Sequence, residues 1–186
     1  CYWDHPLIEL DGKTAGIIGF GRIGQTTGRI AKALGMKVLA YDPYVKELPE
    51  EFQSYVTLCG ENEVISGCDF LSLHLPLNDE TRNMISAPQL ASMKAGAYVI
   101  NAARGGIVNE KDLYEALVSG HIAGAAMDVS EVEPMAEENP LRTLDNVIIT
   151  PHIGMYSKEA IGAVSLICAQ NVAACAAGAE LKFQVV

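Results

Sequence analysis

The chain has 186 residues, and at roughly 100–200 residues per domain this length predicts one domain, spanning residues 1–186. Hydrophobic residues make up 49% and charged residues 19%, a globular balance that excludes disorder over most of the length and lets a core form without staples. Lys and Arg number 13 against 23 Asp and Glu, so the net charge of −10 argues against nucleic acid or an anionic membrane surface as the main partner.

Short apolar runs alternate with helical patterns in chain order. Residues 1–11 read as a hinge segment, and Thr14–Phe20 is a compact apolar run ending in glycine. Arg22–Leu34 follows as a helix, with Ile23, Thr27, Ile30 and Leu34 near helical spacing. Lys37–Asp42 and Asp69–Leu75 read as strands, Ser86–Met93 as a helix and Ala97–Ala103 as a strand. Glu110–Ser119 is a helix with Gly120 as its C-cap, and Ile122–Val129 is a strand. The tract Ser130–Leu144, with Pro134 and Pro140, reads as a loop, and Val147–Thr150 is the last strand, closed by Pro151. An alanine-rich helix from Ser157 to about Ala177 reads as a docking helix. Strands alternating with helices imply βαβ units, a parallel sheet covered on both faces and, with right-handed crossovers, a doubly wound α/β fold.

Several features narrow the class. No uninterrupted apolar run reaches the roughly 18 residues of a membrane span, and Tyr2, Trp3, Asp4 and His5 stand where a signal peptide's apolar region would begin. The five cysteines, Cys1, Cys59, Cys68, Cys168 and Cys175, form no C-x-x-C pair, which reads as free thiols in a reducing, cytoplasmic setting. His5, His74, His121 and His152 are scattered without metal-ligand spacing, so no metal site is expected. The first residue is Cys1 rather than methionine, as expected of part of a longer chain.

Gly19-Phe20-Gly21-Arg22-Ile23-Gly24 is G-x-G-x-x-G. Alone the pattern is weak in a chain with 17 glycines. Here it follows an apolar strand and opens a helix, and Asp42 ends the next strand 18 residues after Gly24, near the roughly 20 of a dinucleotide fingerprint. Gly19 permits the tight turn, Gly21 lets the backbone approach a pyrophosphate, and Gly24 lets helix and strand pack closely. The amides of the helix start then face the anion. Asp42 can accept from a ribose 2′-hydroxyl and would repel a 2′-phosphate, which favours NAD over NADP on a Rossmann-type NAD(P)-binding domain. Pro43-Tyr44 supplies no arginine for such a phosphate, and Lys46, the nearest cation, reads as a solvated surface lysine. The bland alternative is a glycine turn and a strand-end aspartate with no ligand.

In doubly wound sheets ligands lie beyond the carboxyl ends of the strands. Arg104, Glu133 and His152 each follow a predicted strand. They could equally be a turn arginine, one loop carboxylate among several and a satisfied histidine. If they converge, His152 has the pKa range for protonating a carbonyl oxygen during hydride transfer. Glu133 would favour its imidazolium, and Arg104 could clamp a carboxylate bidentately.

Taken together, GFGRIG, Asp42, NAARGG around Arg104, DVSEVEP around Glu133 and TPHIG around His152 resemble the D-isomer-specific 2-hydroxyacid dehydrogenase family. The likeness runs from about Leu10 to Gly154 and into the last helix, and it is shared about equally with hydroxypyruvate or glycerate dehydrogenases and with phosphoglycerate dehydrogenases. It implies hydride transfer between NAD(H) and a D-2-hydroxy acid or 2-keto acid. Arg104 would bind substrate, Glu133 would tune His152, and His152 would move the proton. It implies cofactor contacts at Gly19, Gly21, Arg22, Ile23, Gly24 and Asp42, and at Pro76 and Thr81 on the adenosine side. Nearer the nicotinamide they fall on Ala102, Ala103, Arg104, Asp128, His152 and Gly154, with Asp128 receiving the carboxamide. Glutamate at 133 argues against the related formate dehydrogenases, which use glutamine there.

The chain departs from the family pattern at Ser130, where an aromatic is common, at Met155, where a small residue is common, and at Ala102, where a hydroxyl residue is frequent. Met155 puts substrate preference in doubt more than cofactor binding. The resemblance also implies a second, substrate-binding domain largely outside this sequence, and a homodimer formed through the nucleotide domain. An NAD-sensing binding module of the corepressor kind, without catalysis, and a domain for another nucleotide are the alternative readings on the same fold.

Overall fold

The computed structural model describes residues 8–182. Of the expected hinge segment only residues 8–11 fall among these, and the readings made on Cys1, Tyr2, Trp3, Asp4 and His5 lie outside them. The chain divides into two compact units, Cys1–Pro151 and His152–Val186.

The first unit is a seven-stranded sheet in the order β3-β2-β1-β4-β5-β6-β7, with every pairing parallel. The strands are β1 (Thr14–Ile18), β2 (Lys37–Tyr41), β3 (Val56–Leu58), β4 (Phe70–Leu73), β5 (Ala97–Asn101), β6 (Ile122–Met127) and β7 (Val147–Ile149). Between them run α1 (Arg22–Ala33), α2 (Glu50–Gln53), α3 (Glu61–Gly67), α4 (Ala87–Ser92) and α5 (Glu110–Val118). Consecutive strand residues face opposite sides of a sheet. Accordingly, Ile17 enters a buried cluster with Phe20, Val38 and Phe52, while Ile18 enters a second with Val64, Leu71, Leu90, Val99 and Leu113. A sheet buried on both faces is the doubly wound α/β fold that the strand and helix alternation predicts. Each fully buried Ile, Leu or Phe contributes on the order of 1.5–3 kcal/mol.

The order reverses between β1 and β4, so the crossovers leave β1 in opposite directions and a crevice opens at the carboxyl edge. Because all strands are parallel, the residues that follow them share that edge. They are Gly19 after β1, Asp42 after β2, His74 after β4, Ala102–Arg104 after β5, Asp128 after β6 and Thr150 after β7.

Four features differ from the sequence reading. β3, α2 and α3 were not anticipated. The tract Ser130–Leu144 contains a short 3-10 helix, Pro140–Thr143, capped by the Asn139 side chain accepting from Leu141 N–H at 3.0 Å. α1 does not bury its Ile23, Ile30, Leu34 stripe, which is 70%, 57% and 49% exposed. It buries Gly24, Gly28 and Ala31 instead, because small residues let the helix axis approach the sheet closely. Finally, the second unit holds α6 (Lys158–Ala176), which by length and composition is long and apolar enough to cross a membrane. Ser165, Gln170 and Asn171 interrupt its apolar residues, so it holds no uninterrupted apolar run of that length. α6 starts at Ser157, whose hydroxyl accepts from Ala160 N–H at 3.0 Å. Its Ile161, Val164, Leu166 and Val172 are exposed, and none of its residues is buried.

Candidate cofactor and active site

The glycine corner is built as the fingerprint requires. Gly19 has a φ of +91°, a region that L side chains rarely adopt, and an added Cβ there would collide with the His74 carbonyl oxygen. Gly24 lies one turn into α1 and would collide with the Gly19 carbonyl oxygen if it carried a Cβ. The helix therefore starts hard against the strand end. Gly21 is different, because a Cβ there would meet nothing within 4 Å. It is the N-cap of α1, no side chain caps the helix and no acid stands in its first turn. First-turn amides without a capping side chain are an anion site, and the open space over Gly21 gives a diphosphate room. The residues present therefore fit a dinucleotide.

Asp42 is tied into the corner. Its Oδ2 accepts from Phe20 N–H at 2.8 Å and its Oδ1 from Tyr44 N–H at 2.9 Å. Beside it lies a cavity of about 410 Å³ lined by Tyr41, Asp42, Pro43, Val45, Lys46, Leu58 and Cys59. Lys46 is exposed, as expected, yet it lines this cavity and donates to the Pro43 carbonyl at 3.2 Å. Burial pushes the Cys59 thiol up, and Glu63 adds to the shift. Pro76 and Thr81 fall in one turn, where the Thr81 hydroxyl donates to the Pro76 carbonyl at 2.7 Å.

His74 stands between these groups, its backbone carbonyl walling the corner and its Nε2 lying 2.9 Å from the Ser72 hydroxyl. Burial lowers its pKa, so the ring is neutral at pH 7. The sequence reading noted it only as one scattered histidine.

On the other half of the edge, Asn101 organises the turn after β5. Fully buried, it accepts Ala103 N–H at 3.1 Å and donates to the Arg104 carbonyl at 3.0 Å. Arg104 is exposed, and its guanidinium donates to the Ala103 carbonyl at 2.6 Å. An added Cβ on Gly105 would overlap the Ser130 carbonyl, so the Arg104 turn rests on the loop after β6. In that loop Ser130 N–H faces Glu133 Oε1 at 3.4 Å and the Ser130 hydroxyl donates to Val132 O at 2.8 Å. The loop is pinned to the start of α5, where Glu110 N–H donates to Glu131 at 3.1 Å and Glu131 N–H donates to Glu110 at 2.6 Å. Arg104 and Glu133 thus stand on neighbouring loops. Asp128 N–H donates to the Asn101 carbonyl at 2.9 Å, and Thr150 Oγ1 donates to Asp128 Oδ1 at 2.5 Å.

His152 and Gly154 belong to the second unit, and both are exposed. His152 has a φ of +54°, in the left-handed region where histidine is enriched among non-glycine residues. Backbone strain of this kind costs on the order of 1–3 kcal/mol and clusters at functional sites.

Sequence reasoning missed Asn101 and Thr150. The first was detectable as an amide closing an apolar strand run. The second opens the TPHIG run around His152, but no role of its own was read from it. Among the described residues there is no group of three or more His, Cys, Asp or Glu that could hold a metal ion.

The comparisons agree with this geometry. Residues 2–154 match the family described as D-isomer specific 2-hydroxyacid dehydrogenase, NAD binding domain. The chain is 51% identical over 160 residues to a hydroxypyruvate reductase of Blautia hydrogenotrophica, covering 86% of this chain and 49% of the reductase. It is 47% identical over 173 residues to a D-3-phosphoglycerate dehydrogenase of Methanocaldococcus jannaschii, covering 91% of this chain and 33% of the dehydrogenase. Among solved structures, a D-lactate dehydrogenase with NAD+ from Lactobacillus jensenii superposes with a TM-score of 0.86 at 34% identity, covering 96% of this chain and 57% of that one. The chain thus spans about half, or less, of the length of these relatives. With the family match, the glycine corner and the strand order all in agreement, the chain belongs to the D-isomer-specific 2-hydroxyacid dehydrogenase family and carries its NAD-binding domain.

Proposed function

We propose that this chain is the dinucleotide-binding part of an oxidoreductase that interconverts a D-2-hydroxy acid and its 2-keto acid. The observation that carries the reading is the corner at Gly19–Gly24, where open space over Gly21 meets an uncapped helix start and a carboxylate, Asp42, stands at the neighbouring strand end. NAD(H), when bound, supplies or accepts the hydride.

The chain's own residues do the rest. The α1 amides hold the diphosphate, and Asp42 accepts from the adenosine ribose. Pro76 and Thr81 border the adenosine, while Ala102, Ala103 and Asp128 border the nicotinamide, with Gly154 nearby. Arg104 binds the substrate carboxylate as a bidentate fork. His152 holds the proton that passes to or from the substrate oxygen, and Glu133 favours its charged form, as in general acid–base catalysis worth about 10²–10⁴ in rate. Family membership and the order of these residues in the chain support the assignment of the trio. The family's implied homodimer through the nucleotide domain, and a cytoplasmic setting suited to the free thiols Cys59, Cys68, Cys168 and Cys175, complete the proposal.

Calorimetric titration with NAD and NADP tests the cofactor reading. NAD is expected to bind at least roughly tenfold more tightly, since a 2′-phosphate would meet the Asp42 charge. Asp42→Ala is expected to abolish the difference. Equal affinity for both in the unaltered chain overturns the assignment of Asp42.

A further inference from the structure

We propose that Thr150 is a positioning residue for the nicotinamide end of the site, its hydroxyl holding the Asp128 carboxylate in the orientation that receives the carboxamide N–H. The inference rests on the reading of Asp128 as the carboxamide acceptor.

The geometry begins with the ladder between β6 and β7. Met127 pairs with Ile149, so Asp128 and Thr150 are the next facing pair, one step beyond both strands. Thr150 N–H donates to the Met127 carbonyl at 3.0 Å, which extends the ladder and fixes the threonine backbone. From that fixed backbone the hydroxyl reaches Asp128 Oδ1 at 2.5 Å, a short, charge-assisted hydrogen bond. On its other side Asp128 is fixed by its own N–H to the Asn101 carbonyl at 2.9 Å. Asn101 is the residue whose buried side chain holds the Ala103–Arg104 turn.

The Asp128 backbone is therefore held by β5 and its carboxylate by the end of β7. A carboxylate has about four lone-pair sites, of which the Thr150 hydroxyl takes one. Losing one fixed hydrogen bond leaves a carboxylate less well oriented toward a ligand donor, and restoring that orientation on binding weakens affinity. With Thr150 in place the ordering is already present before ligand arrives. Valine has nearly the same shape and the same β-branching, but it cannot donate.

The test is binding of NADH and of ADP-ribose, which lacks the nicotinamide, to the 186-residue chain, followed by calorimetry. Thr150→Val is expected to weaken NADH by roughly three- to tenfold, within the range for losing a hydrogen bond to a charged group, and to leave ADP-ribose unchanged. Thr150→Ser is expected to restore NADH affinity. In an Asp128→Ala background, Thr150→Val is expected to cost nothing further. Unchanged NADH affinity in Thr150→Val, or an equal loss for both ligands, overturns the proposal, the second outcome being that of a purely structural hydroxyl. If Thr150→Val does not fold, the smaller Thr150→Ala is read by the same criteria. An unaltered chain that binds neither ligand overturns the dinucleotide reading itself, which is a different result from selective failure at Thr150.

Discussion

His74 shows how a residue with no evident motif gains a role from its place. Its carbonyl walls the glycine corner, its ring contacts Ser72, and burial lowers its pKa from an ordinary 6.5. The unfolded chain takes up a proton near that ordinary value, and the folded chain does so only at lower pH. Stability is thus unaffected by this group above about pH 6.5 and falls as pH drops below it. Asp69 adds a later acid step. Burial alone would raise its pKa, but Thr14 N–H and the Lys94 ammonium outweigh burial and hold it below 3.8. Its stabilisation is present above that value and is lost as pH falls further. Urea midpoints are expected to decline as pH drops below about 6.5, and His74→Gln is expected to flatten that limb while leaving the more acidic one. An unchanged slope in the variant would remove His74 as its source. At this scale the sequence singles out residues whose type suits a known task, such as Asp42 and Arg104. Asn101 and Thr150 escaped because an amide or hydroxyl near a strand end acquires meaning only from its partners: those of Asn101, at Ala103 and Arg104, are met only once the local turn has formed, and that of Thr150, Asp128, lies 22 residues away.

At the scale of elements, α1 separates two uses of glycine. Gly24 and Gly28 are both buried on the helix face that meets the sheet. A Cβ at Gly24 would overlap the Gly19 carbonyl, which is backbone and has nowhere to go. A Cβ at Gly28 would lie 3.4 Å from a Phe20 ring carbon and 3.6 Å from Ile17, which is ordinary contact. Glycine within a helix is destabilising by roughly 0.5–1 kcal/mol relative to alanine. Gly28→Ala is therefore expected to raise stability by about that amount without loss of NADH binding. Gly24→Ala is expected to destabilise by about 1–3 kcal/mol through overpacking and to weaken NADH by displacing the corner. Urea unfolding and NADH fluorescence measure both, and similar effects from the two substitutions would contradict the packing described. The same helix explains one misreading. Periodicity points to the Ile23, Ile30, Leu34 face, but close packing on a sheet end selects the small face instead. β3 was missed because Val56–Leu58 has only three residues and its central Thr57 breaks the apolar run that the equally short β7 keeps through Val147, Ile148 and Ile149. α3 was missed because Glu61, Asn62, Glu63, Ser66 and Gly67 leave only Val64 and Ile65 buried. The longer strands were legible because burial on both faces makes them continuously apolar.

For the whole molecule, a site that holds a dinucleotide differs from one that completes hydride transfer. The relatives it resembles are about twice as long or longer, and in the 186-residue chain Arg104 and Glu133 are exposed. Hydride transfer with acid–base help depends on excluding water and on holding the reacting groups in near-attack geometry, which enzymes achieve by closing one surface over another. An exposed guanidinium in bulk water gains little from a carboxylate, because ion pairing at high dielectric is weak. The corner at α1 needs no such cover, since its amides and Asp42 come from contiguous elements of one unit. Cofactor binding and turnover should therefore separate. The 186-residue chain alone is expected to bind NADH yet to reduce hydroxypyruvate or glyoxylate at least about a hundredfold more slowly than a full-length relative assayed alongside it. The loss of NADH absorbance measures the rate, and NADH fluorescence in the same samples measures occupancy. Reduction at the relative's own rate would show that water exclusion and alignment are complete within this chain, and the exposed settings of Arg104 and Glu133 would then have to close on substrate without help.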